Sequence, residues 1–133
     1  MIFVSIANET SAEDNFRNEW LKIINDTTTN NINDSLVMME LIKNDVPYRT
    51  NFFILIKKES GNYKSKLATE YNNITGMRFP SRRKTMATGK NKYQYATFKC
   101  WKECIKDLKY FIDFSPPKQN ETFYNFIKRR KWN

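Results

Sequence analysis

The run Phe52-Phe53-Ile54-Leu55-Ile56 constrains this chain more than any other stretch, because two lysines later it meets Glu59-Ser60-Gly61. A helix carrying five consecutive apolar residues is apolar on nearly every side and belongs at the centre of a core. A buried strand also accommodates such a run. If the helix begins near Thr50, Glu59 falls at its C-terminal end, where the negative end of the dipole opposes a carboxylate. Apolar neighbours would strip water from it as well, and both effects favour the protonated form. Gly61 would let the backbone turn sharply and leave room for a ligand beside the acid. An exposed helix stop accounts for the same three residues more simply.

The rest of the chain is organised around this helix. Phe16, Trp20, Ile23 and Ile24 recur at helical spacing and predict a first helix from about Ala12 to Asn25, followed by a loop at Thr27–Asn31. Asp34-Ser35 can cap a second helix bearing Leu36, Val37, Met39, Leu41 and Ile42, which Pro47 separates from the apolar one. Ser65–Glu70 suggests a short helical turn. From Asn73 to Phe98 the composition shifts to Thr, aromatics and turn residues. Thr88-Gly89-Lys90-Asn91 lies there between two strand-like pieces, which predicts a β-hairpin or small antiparallel sheet. Trp101, Cys104, Ile105, Leu108, Phe111 and Ile112 restore helical periodicity until Pro116-Pro117. A last helix runs from Glu121 to about Arg130. The expectation is a single α+β domain over residues 1–133, mostly helical with a central β element.

Composition removes several chemistries. There is no histidine, so Ser-His and Cys-His nucleophile pairs and most zinc sites are excluded. No metal or other cofactor is expected. Cys100 and Cys104, spaced i, i+4, would crosslink nothing distant and read as free thiols on a helix face. Twenty-three Lys and Arg against fourteen Asp and Glu give a net charge of +9, which suits either solubility or an anionic polymer as partner. No apolar run approaches the ~18 residues that span a bilayer, so membrane insertion is not expected. The N-terminus lacks the basic and apolar regions of an export signal.

The segment "ESGNYKSKLATEYNNITGMRFP", followed after an interval by "YATFKCWKECIKDLKYFI", resembles the glucosaminidase-type peptidoglycan hydrolases (glycoside hydrolase family 73, lysozyme-like fold). The resemblance runs from about Asp34 to Ile112, and the tail "FYNFIKRRKWN" is similar to a segment near the end of many members. Such domains commonly continue with another helical segment beyond the point where this chain stops. The resemblance implies that Glu59 is the catalytic acid. Ser65 would support the adjoining turn, a position its role as a helix cap would equally explain. Asn72-Asn73 and Gly76 would enter the hairpin along the cleft, although Gly76 also reads as a plain turn residue. Tyr93 and Tyr95 are candidates to orient the substrate, and Phe98 falls on a flanking aromatic position where the family often has Tyr. Trp101 and Ile105 read as core, and Cys104 replaces a residue that is commonly Ser.

Between Glu70 and Glu103 there is no Asp or Glu, so the hairpin offers no second carboxylate. Two-acid glycosidase schemes then lack a partner unless a distant residue supplies one. What remains is one acid aided by the substrate's own 2-acetamido oxygen. The resemblance thus implies an endo-β-N-acetylglucosaminidase, monomeric, acting on the peptidoglycan of the bacterial cell wall. A lytic transglycosylase uses nearly the same equipment. A wall-binding or phage structural module that kept the fold, and a nucleic-acid binder built on "RRKTMATGKNKYQY", are further alternatives, the last least favoured. The missing export signal fits a phage or prophage product. Arg78, Arg82, Arg83, Lys84, Lys90 and Lys92 would either meet wall anions or form a solvated charged hairpin.

Overall fold

Asn33, one residue before the expected cap, starts helix α1 (Asp34–Lys43), its side chain accepting a hydrogen bond from the Leu36 amide. This is a computed structural model that describes residues 14, 15, 17, 18 and 31–132, the first four being helical. The rest of the expected helix at Ala12–Asn25, and all of the expected loop at Thr27–Asn31 except Asn31, lie outside the described residues. The chain continues through α2 (Arg49–Glu59), α3 (Lys66–Tyr71), strands β1 (Gly89–Lys90) and β2 (Ala96–Thr97), α4 (Trp101–Phe114) and α5 (Phe123–Arg129). This is an α+β arrangement, largely helical with one small antiparallel sheet.

The apolar run forms a helix, and α1 packs against both α2 and α4. It is not buried on all sides, however. Phe52 and Ile56 are fully buried, but Ile54 is 60% exposed. Those two side chains join Leu41, Ile105, Leu108, Ile112 and Phe126 in one core, the contribution that dominates folding for a chain this size. Phe52 meets Phe123 edge-on at 4.9 Å, and the Tyr48 hydroxyl donates to the carbonyl of Glu121. The C-terminal helix is thereby fastened to the start of α2.

The hairpin exists, but its turn is displaced from the expected Thr88–Asn91. Gly89 and Lys90 are themselves strand residues, paired with Thr97 and Ala96. The chain reverses instead at Asn91–Tyr95, where the Asn91 side-chain oxygen accepts from the amides of Tyr93 and Tyr95. An asparagine that bonds its own following backbone makes a turn without glycine.

Candidate functional site

The end of α2 is shaped by Ser60, which is buried, and not by glycine alone. Its hydroxyl accepts from the Tyr63 amide at 2.9 Å and its carbonyl accepts from the amides of Lys64 and Ser65. Three successive residues, Gly61, Asn62 and Tyr63, take positive φ values of 56°, 59° and 68°. Lys57 and the Tyr63 hydroxyl both bond the Asp34 carboxylate, tying this corner to α1 and holding that acid below its ordinary value. Ser65 then caps α3, accepting from the Ala68 amide at 3.1 Å. The structure thus shows Ser65 as a helix cap.

Glu59 sits at the outer side of this corner and is exposed, so the desolvation expected from a buried helix is absent. Among the described residues its carboxylate has no hydrogen bond or ion pair. Its Oε2 nevertheless lies over the backbone of Gly76, 3.5 Å from where a β-carbon on that residue would stand. Gly76 has φ +76°, a conformation that L side chains rarely adopt.

Asn73 holds the loop that carries Gly76. It is 1% exposed, and its amide donates to the carbonyls of Met77 at 2.9 Å and Ala96 at 2.8 Å. Its oxygen accepts from the amides of Thr75 and Gly76. All its polar atoms are engaged inside the protein, so Asn73 positions the loop rather than binding substrate. Phe98, 4% exposed, is likewise core rather than a cleft aromatic. Its amide and carbonyl join the hairpin to Tyr71 and Asn72.

Gly76 also begins the wall of a cavity of about 370 Å³. One wall is the loop from Gly76 to Arg83. The other consists of Phe111 and Phe114 from α4 and residues 130–132 at the C-terminus. Among the described residues no acidic side chain lines it, whereas Arg78, Arg82, Arg83, Arg130 and Lys131 do. Tyr95 is half-buried, pairs with Arg78 across the sheet and lies under its guanidinium at 4.6 Å. Tyr93 is 62% exposed at the hairpin turn, where its carbonyl accepts from Arg78. The structure brings Glu59 and Gly76 together. Tyr93 and Tyr95 occupy the hairpin beyond Arg78, and neither lines the cavity.

Sequence reasoning missed the residue that fixes the cavity wall. Asp107 on α4 is 0% exposed and accepts from both terminal nitrogens of Arg83, the Thr85 hydroxyl and the Met86 amide. Four donors, three on Oδ1 and one on Oδ2, make this buried carboxylate a fixed anchor. The signal was available, since Asp107 stands three residues after Cys104 and four before Phe111 on the apolar stripe of α4. The other wall has its own anchor. Glu121 takes two hydrogen bonds from Arg129 and one from the Lys118 amide, which hold its carboxyl down at about 2.

Cys100 and Cys104 are buried free thiols, and burial pushes Cys104 up to about 11. Among the described residues no cluster of acidic, histidine or cysteine side chains is placed to hold a metal, and no helix is long and apolar enough to cross a membrane. Comparisons with protein-family models, with curated proteins and with solved structures find no match.

Proposed function

We propose that the protein cleaves the β-1,4 glycan strand of peptidoglycan, as an endo-β-N-acetylglucosaminidase with Glu59 as its only general acid. One observation carries the reading: an unpartnered carboxylate lies against a bare glycine on the rim of an arginine- and aromatic-walled cavity. Aromatic faces suit the apolar faces of sugars, and a glycine beneath the acid leaves space for a ring. A glycan laid across Gly76 would cover Glu59 and exclude water from it. In the reaction Glu59 gives its proton to the leaving glycosidic oxygen. The substrate's acetamido oxygen attacks the anomeric carbon from the other side, and water then opens the ring so formed. Asp107 is buried and held by four donors, which agrees with a scheme that needs no second protein carboxylate. Tyr95 and Tyr93 are the hydroxyls proposed to meet the acetamide.

The exposure of Glu59 favours one alternative, a wall-binding module that no longer cleaves. Release of soluble fragments from purified peptidoglycan by wild type and Glu59→Gln separates them. The proposed function expects release by wild type alone. Pelleting of both proteins on sacculi with no release by either selects the binding module. Mass spectrometry of the products distinguishes hydrolysis from anhydro-ring formation by a transglycosylase.

A further inference from the structure

The cations that line the cavity have very different employment. Arg83 is fully committed to Asp107, the side chains of this pair being 7% and 0% exposed. Arg78 is held by the Tyr93 carbonyl and the Tyr95 ring. The side chains of Arg82 and Lys131 have no hydrogen bond or ion pair among the described residues, and both residues are exposed. Arg130 is intermediate. Its guanidinium stacks on Phe111 at 3.8 Å and gives one terminal nitrogen to the Ser115 carbonyl at 2.7 Å. Among the described residues no carboxylate pairs with it, and Glu121 is taken by Arg129. Burial and the neighbouring Arg129 and Arg83 push its proton affinity below the usual arginine value. A stacked, forked cation without a counter-ion suits a planar bidentate anion, and a carboxylate fits that geometry.

We propose that this cavity is a carboxylate-binding subsite in which Arg130 and Arg82 receive a carboxylate of the peptide carried by the glycan. The inference rests on the proposed function. Gly76 lines the cavity and lies against the Glu59 carboxylate, so a sugar held at the acid would carry its substituent towards the cavity. Phe111 and Phe114 give the peptide an apolar wall, and among the described residues no acid in the lining competes for Arg82 and Arg130. The protein therefore prefers glycan that still bears peptide over glycan stripped of it.

Calorimetric titration of Glu59→Gln tests this without turnover. The probes are a disaccharide tetrapeptide fragment of peptidoglycan, the same disaccharide without peptide, the free tetrapeptide and inorganic phosphate. The peptide-bearing disaccharide is expected to bind about tenfold more tightly than the stripped one, the scale of a charge-assisted bond. Arg82→Ala should remove part of this preference. Arg130→Lys, which keeps the charge but loses the fork and the stacking, should remove most of it. Lys84→Ala, a neighbouring cation outside the cavity, should leave it unchanged. A cooperative melt of each variant establishes that it is folded. Equal affinity for the two disaccharides overturns the proposal, as does phosphate binding without peptide binding. If neither disaccharide binds but the free tetrapeptide does, in an Arg82- and Arg130-dependent way, the subsite stands and the glycan reading fails. Failure of all four probes overturns the subsite.

Discussion

The carboxylates around the cavity divide into two kinds. Asp107 and Glu121 each meet an arginine and a backbone amide, and each fastens one wall. Glu59, exposed beside Gly76, makes no hydrogen bond or ion pair among the described residues. Donors of this kind offset the cost of taking a carboxylate out of water. An acid that must hand over a proton needs the opposite surroundings. The contrast teaches that Asp107 and Glu121 serve as scaffolding, and it leaves Glu59 as the acid to which the proposed chemistry is assigned.

The largest test of this contrast is Asp107→Ala. It leaves Arg83 buried without a counter-ion and should cost about 3–5 kcal/mol in denaturant unfolding. A loss below about 1 kcal/mol would mean that Asp107 is not the anchor. The next is Gly76→Ala, where a side chain in the left-handed region should cost about 1–2 kcal/mol. Its methyl would lie in contact with Glu59, so glycan release should fall further than that modest destabilisation explains. Full activity in this variant would show that the space beside the acid is unused.

Glu121 gives a smaller, pH-resolved test. Its carboxyl is held at about 2, below its ordinary 4.5, chiefly by the Arg129 hydrogen bonds and then by the Lys118 amide. A depressed acid stabilises fully above its unfolded value and loses that contribution as pH falls through the folded one. The melting temperature of wild type should therefore drop more steeply than that of Glu121→Gln between about pH 5 and pH 2. Parallel curves would show that the pair does not hold the C-terminal wall.

Much of the helical frame was legible because periodicity reports burial directly. The helices carrying Leu36–Ile42, Phe52–Ile56 and Trp101–Ile112 all appear. Local turn chemistry was harder. The hairpin reversal went to Asn91, whose side chain bonds the backbone, rather than to the Thr88-Gly89 that composition favoured. Ile54 escaped burial because five adjacent apolar residues cannot all face one core from a single helix. Within the candidate site, the glycine expected beside the acid was Gly61, whereas Gly76 is the one that meets Glu59. The inward role of Asn73, the core placement of Phe98 and the Asp107 anchor did not follow from motif order, since each depends on contacts between residues 20 or more positions apart.

The central claim is that Glu59 contributes chemistry and no structure, and Glu59→Gln on purified peptidoglycan tests it most directly. The account predicts an unfolding free energy within about 0.5 kcal/mol of wild type, retained pelleting on sacculi and a fall in glycan release of about a hundredfold or more. Release at the wild-type rate by a folded Glu59→Gln protein would contradict it.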